Sequence, residues 1–476
     1  MRFVDLPADL LLVFFLELDV EDVLSLKQSC RVLYTLGSLD YLWHNLTRRC
    51  NLPLDIPLGT DSSTLSGQEL QAIVVKALKL DHNWRKPDAC IQRAVPIIRS
   101  DSAFIDDMHL LPGGKWLITA QLTINLVGRR TDLTLWCLDD ITSPRAIKVV
   151  PIHGRVRSCR AYYQPALHKF TIAAALAKDG SESIEVYHIM LENPAVVLIQ
   201  SESLTFHRAD EFAFLGNIDE LRIFEDMLGA TFLKHAQDTT QTVHVYLRNL
   251  VTGAAATFRP YQGGYEKPYF ELFRDQYALA RRDFSIQTVS FYDIPSYIMS
   301  ANSEPPANPD PNHMSEGLLS TRCSLPHEES VYYMASSGSV EHGIPILNTM
   351  MFNWPPHNGI MDRFSPPNHE TRFSGRPIIV SQEFPHRAQM LDQVQLGATG
   401  RRAVWIDYGD ETILRKWSAT RYRRGEGLSA GASVLMPPIS GLPFDPKYIQ
   451  RIAFDEVTCR LCASLPAGEL FVCDFL

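Results

Sequence analysis

The chain lacks any long hydrophobic run. Its most apolar early stretch, LLLVFFL at residues 10 to 16, falls far short of the roughly twenty residues that span a bilayer. A secretory signal would also need a positive leading segment and a small-residue cleavage site. Instead Asp5 and Asp9 precede the run, Glu17, Asp19 and Asp22 follow it, and Arg2 is the sole early cation. Positive charge is scarce overall, since 45 Lys and Arg against 54 Asp and Glu leave a net charge of -9. That balance excludes a whole-protein nucleic-acid footprint, so neither nucleic acid nor membrane is expected as a partner.

Cysteine supplies no framework either. Nine residues, Cys30, Cys50, Cys90, Cys137, Cys159, Cys323, Cys459, Cys462 and Cys473, are odd in number and irregularly spaced. They read as a reduced inventory, which places the protein inside the cell, in cytoplasm or nucleus. The sequon Asn45-Leu46-Thr47 falls within an expected helix and is discounted.

Catalytic and metal signatures are equally thin. Gly427-Leu428-Ser429-Ala430-Gly431 fits the G-x-S-x-G spelling, but that chemistry needs a strand-to-helix turn and a downstream histidine. The last histidine is His386. Cys459-Arg460-Leu461-Cys462 is a lone C-x-x-C, where zinc asks for about four ligands; on a strand its two thiols would point to opposite faces. Gly113-Gly114-Lys115-Trp116 lacks the phosphate-loop frame and reads as a strand turn. No catalytic residue, metal or cofactor is expected.

What is present is an ordinary globular composition, with 45% hydrophobic and 21% charged residues and a mean hydropathy of -0.08. At 476 residues the length suits two or three domains, or a small domain beside a large repeat array. At helical spacing Leu10, Leu11, Phe14 and Leu18 share one side of a first short helix that opens near Pro7. Val13 and Phe15 make it apolar round much of its circumference, the mark of a helix covered on two sides. Asp19, Glu21 and Asp22 start a second helix, which presents Val23, Leu24, Leu26 and Cys30. A third spans Leu39 to Leu46, with Leu42, Trp43 and Leu46 buried. A core so small needs a neighbour or a partner.

The ordered set Leu6-Pro7, Leu10-Leu11, Phe14, Leu18-Asp19, Asp22 to Leu24, Cys30-Arg31 and Leu42-Trp43 resembles an F-box. Val20 and Leu33 replace a frequent proline and tryptophan with helix-compatible apolar side chains. The resemblance implies that this segment binds a Skp-type adaptor and, through it, a cullin-RING ubiquitin ligase. By that likeness Leu6, Pro7, Leu10, Leu11 and Phe14 are the first adaptor contacts, followed by Leu24, Leu26 and Trp43.

Beyond the F-box at 1–47, the segment 48–98 reads as a linker with a helix. Ser66-Gly67-Gln68-Glu69 is a capping box, and Leu70, Ile73, Val74, Ala77 and Leu78 continue the helix to near Trp84. LKLDHNWRKP resembles the linker helix of many fungal F-box proteins. From 99 to 476 the period becomes two. LTLWCLDD, IEVYHIML, VHVYLRNL and VSFYDIPS place Trp136, Tyr187, Tyr246 and Tyr292 at matching positions, about fifty residues apart. With Trp417, Cys473 and one marker hidden near 350, this predicts a β-propeller of seven blades, six and eight being left open; two packed β-sandwiches are the alternative fold. The markers are expected between blades, and a Pro-rich insertion is expected near 301–318.

The fold class expected is therefore α plus all-β. The functional reading is a non-enzymatic substrate receptor that recruits an unknown protein target through the propeller. Arg421, Arg423 and Arg424, with Arg401 and Arg402, form a local basic excess suited to an acidic or phosphorylated target, although a solvated loop explains them equally. The rival readings are an F-box scaffold with no degradative role, and a propeller enzyme with a regulatory F-box.

Overall fold

A computed structural model describes residues 3–475 apart from 51, 58, 88, 99–102, 126–127, 179–180, 192–195, 207–215, 236–240, 263–267, 284–285, 300–317, 327–329, 342–343, 355–357, 367–377, 386–390, 409–411, 424–425, 429 and 437–441. Four helices open it: α1 (Ala8–Leu16), α2 (Val20–Lys27), α3 (Arg31–Leu36) and α4 (Asp40–Arg49). Extended residues Pro7, Asp19, Cys30 and Leu39 stand before them. The spacing predicts three helices; α3 is the addition, and it gave no signal because its RVLYTL sequence buries Leu33 alone. In α4 the buried set is Leu42, Trp43, Leu46 and Thr47, as its spacing predicts with one addition. The Trp43 indole donates to the Gly37 carbonyl at 2.8 Å, so the ring is both packed and satisfied.

Helix α5 (Gly67–Arg85) begins with the expected capping box: the Ser66 hydroxyl accepts from the Glu69 amide, and the Glu69 carboxylate accepts from the Ser66 amide. At 19 residues it is about 28 Å long. Its Leu70 and Val74 complete the core of α1 to α4. Further along, Leu80 and Trp84 enter the core of the following domain. A single helix thus belongs to two hydrophobic cores.

The rest is seven four-stranded antiparallel sheets, each ordered consecutively. Blade one holds Phe104–Leu110, Trp116–Asn125, Gly128–Cys137 and Arg145–His153. Blade two opens on Arg155–Gln164, three on Asn217–Phe224, four on Tyr269–Leu272, five on Ser330–Glu341, six on Leu391–Leu396 and seven on Arg451–Asp455. The opening strands touch one another in turn round the ring, seven back to one, so they line the axis. Seven blades are present, with helices confined largely to the N-terminal part. Blade seven is completed by Arg93–Ile98, which pairs antiparallel with Leu470–Asp474. The segment 93–98 therefore belongs to the propeller, not to the linker: its alternation serves a strand whose partner is distant in sequence.

The markers Trp136, Tyr187, Tyr246, Tyr292, Trp417 and Cys473 all lie on third strands. The one expected near 350 is instead Phe364, on the third strand Asn358–Ser365; position 350 lies on the second strand Ile344–Trp354. Apart from Leu318, which opens the strand Leu318–Pro326, the Pro-rich insertion near 301–318 lies outside the described residues.

In such a meander, first and third strands start at one rim of the ring and finish at the other. The second strand of blade six, Arg402–Tyr408, starts at the finishing rim, and the third, Thr412–Ser418, ends there. That is where α5 is seated: the Trp84 indole donates to the Trp417 carbonyl at 3.2 Å and Arg85 to the Ala419 carbonyl at 2.7 Å. The helical domain occupies one rim and leaves the other clear.

Candidate functional site

Helix α1 is apolar nearly all round, so two of its faces compete for cover. Packing takes Leu11 and Phe15, at 1% and 0% exposure, while Leu10, Val13 and Phe14 stay at 57%, 59% and 45%. The side shared by Leu10, Leu11, Phe14 and Leu18 is thus split, because an i, i+4 pair one step round the helix faces the core. Phe3 sets its ring edge-on to Phe14 at 5.0 Å. Val32, Tyr34 and Tyr41 are exposed nearby in sequence. Uncovered large apolar side chains are concentrated in this small domain, and contiguous exposure of that kind marks an interaction surface.

The residues expected to touch an adaptor therefore divide. Pro7, Leu10 and Phe14 are exposed, and Leu6, Leu24 and Leu26 are half-buried. Leu11 and Trp43 lie inside the core of α1 to α5. A partner reaches those two only by opening that core, so their role is to shape the surface.

Below this surface α5 is fixed to the ring by buried groups. Trp84 stacks on Phe454 at 5.3 Å and meets Phe475 edge-on at 5.5 Å. Asp81 and Arg402, exposed by 3% and 1%, approach at 3.5 Å. Arg402 also donates to the Glu456 carbonyl at 2.8 Å and to the Cys459 sulfur at 3.1 Å. It belongs to this joint and not to a basic surface loop. Lys416 donates to the Lys86 carbonyl at 2.6 Å, and Asn83 to the Phe475 carbonyl at 2.6 Å.

The backbone of Arg421–Arg423 pairs with Glu426–Leu428 as a hairpin between the third and fourth strands of blade six. The side chains of Arg421 and Arg423, and Arg424 altogether, lie outside the described residues, as does Ser429. Cys459 sits in the turn before Arg460–Ser464 with φ of 55°, so only Cys462 of that pair is on a strand. Both are buried, and burial pushes their thiols up to about 12; neither is a ready nucleophile.

Along the axis the charges are paired. Asp107 accepts from the Cys159 amide at 2.7 Å and from Arg160 at 3.2 Å, and Arg222 donates to Glu271 at 3.0 Å. The Ala161 amide donates to His109 Nδ1 at 3.2 Å. Burial, then Arg160 and Arg222, push that imidazole down to about 3, so it is neutral near pH 7. Among the described residues no group of three His, Cys, Asp or Glu is arranged to hold a metal ion, and no helix is long and apolar enough to cross a membrane.

Comparison with known proteins agrees with the helical domain. No curated protein matches the chain. A solved structure titled "Crystal Structure of Mitotic Checkpoint Complex" is similar at 11% identity and a TM-score of 0.41, covering 80% of this chain and 93% of that one. The uncomplexed acylaminoacyl peptidase of Pyrococcus horikoshii is similar at 10% identity and 0.39, covering 78% and 51%. At these scores neither likeness says anything about function. The F-box-like family model matches residues 3–49, the span that ends with α4. Residues 3–49 are an F-box-like domain, carried on a seven-bladed β-propeller by one helix buried at both ends.

Proposed function

We propose that the protein is the substrate-receptor subunit of a Skp-cullin-F-box ubiquitin ligase, acting inside the cell. The observation that carries this reading is the uncovered apolar face of α1, Leu10, Val13 and Phe14, on an F-box-like domain. A Skp-type adaptor covers that face, and the propeller recruits a target protein at the rim that α5 leaves clear. The chain itself needs no nucleophile, acid or metal. Holding a target lysine near a charged ubiquitin carrier raises its effective concentration, and other subunits perform the transfer. The rigid seat of α5 supports this role, because a fixed spacer keeps target and carrier in one geometry.

The test is affinity purification from cells with ligase activity blocked, comparing wild type with a Leu10→Ala, Phe14→Ala double variant. Both side chains are exposed, so the fold should be untouched. Adaptor and cullin should disappear from the variant, while propeller partners persist and accumulate. An exposed anchor at the centre of such an interface costs about 2 kcal/mol or more when truncated. Failure of the wild type to recover any adaptor would overturn the proposal. Stable partners whose abundance ignores ligase inhibition would favour the scaffold reading.

A further inference from the structure

The rim facing away from α5 carries a pocket of about 310 Å³ lined by Arg129, Arg155, Arg157, Arg451 and Asp106, with Val156 and Ala177. Topology assembles it. Asp106, Arg155 with Arg157, and Arg451 lie near the starts of the axial strands of blades one, two and seven, and Arg129 near the start of a third strand. All of these starts share one rim. Four guanidiniums converge on a chain whose net charge is -9, so their clustering runs against the average composition.

Two of the four are already matched. Arg155 grips Asp106 with two hydrogen bonds, at 3.1 and 2.8 Å, and Arg157 lies 3.3 Å from Glu182. Among the described residues Arg129 and Arg451 have no carboxylate partner. The Arg451 Nε is buried without a hydrogen-bond acceptor. A buried donor left unpaired costs free energy unless something supplies the missing acceptor. Two unmatched charges beside one unmatched donor define what that something is.

We infer that this pocket binds a phosphate monoester. Such a group carries a charge of roughly -1.5 to -2 near neutral pH and three strong acceptor oxygens. It balances Arg129 and Arg451 together, where a single carboxylate would leave one of them unmatched. Planar guanidinium forks suit its oxygens. Asp106 and Glu182 hold Arg155 and Arg157 in place, so the walls are set before the ligand arrives. The bearer of the phosphate is either a protein side chain or a free small molecule. The site lies on the propeller and stands whether or not the F-box-like domain docks an adaptor.

The experiment is calorimetric titration of the full chain, at constant ionic strength, with inorganic phosphate, phenyl phosphate and the tripeptide N-acetyl-glycyl-phosphoseryl-glycine amide. Saturable binding is expected for the wild type, weakened about 10- to 100-fold by Arg129→Ala or Arg451→Ala, as for loss of a charge-assisted hydrogen bond. Tighter binding of the tripeptide than of phenyl phosphate assigns the phosphate to a protein, and the reverse order to a free ester. No saturable binding to the wild type overturns the proposal. So does a double Arg129→Ala, Arg451→Ala variant that binds all three probes as the wild type does. If Arg451→Ala does not fold, the exposed Arg129→Ala and Arg129→Glu carry the test. Adaptor capture by the same proteins should be unchanged, which separates failure here from failure of the receptor reading.

Discussion

Leu10 and Leu11 are neighbours with opposite environments. Leu11→Ala should destabilise the folded protein by about 2 to 5 kcal/mol, read by denaturant unfolding, because it empties a packed site. Leu10→Ala should shift stability by no more than about 0.5 kcal/mol and act on adaptor capture instead. This division was not legible in the sequence, since a helix apolar on every side has no moment to show which face turns inward. Legibility was better in α4, where polar neighbours frame Leu42, Trp43 and Leu46. Buried ionisable residues add a pH dependence. Burial pushes the Asp362 carboxyl up to about 6, with Ser381 opposing and Glu383 adding to the effect. The folded state therefore holds a proton that the unfolded chain releases, and stability falls as pH rises from about 4 to about 6. Asp362→Asn should raise stability at pH 7 by about 1 to 3 kcal/mol, and its advantage over wild type should shrink as pH drops through that window in melting experiments. His109 acts in the other sense: its folded-state value of about 3 means that stability is lost as pH falls below about 6.5.

At the scale of the element, α5 decides how the two domains sit together. Its start is written in the local sequence as a capping box; its seat is not, because Trp417, Phe454 and Phe475 are brought to it only by closure of the ring. Trp84→Ala should cost about 3 to 5 kcal/mol, measured by calorimetry, since a fully buried ring and an indole hydrogen bond are lost together. Asp81→Ala leaves Arg402 buried without its carboxylate and should cost about 3 kcal/mol. Arg402 also shows the limit of reading charge from spacing. Adjacent to Arg401 it looks like part of a basic loop, yet the second of the two turns inward to Asp81 and the Glu456 carbonyl.

For the whole molecule, recurrence of an aromatic on the third strand announced the propeller, and six of its seven markers stand where the pattern put them. The fifth blade escaped because a Pro-rich segment upstream shifts the spacing, so Phe364 falls later than a regular repeat would have it. The closing strand Arg93–Ile98 escaped for another reason: alternation reveals a strand but not its partner. Removing 93–98 should leave the edge of Leu470–Asp474 unpaired, and aggregation of that variant during refolding, read by light scattering, is the expected outcome. The same closure sets an order of assembly on the ribosome. Asn83 and Phe475, joined by a hydrogen bond, are 392 positions apart in the chain, so the ring and the seat of α5 are finished only when the last blade has been synthesised. The helices at the start emerge long before that. A nascent chain can therefore display its adaptor-facing surface while its propeller is still an open, aggregation-prone stack of sheets, and early cover on α1 would protect the molecule during its own synthesis.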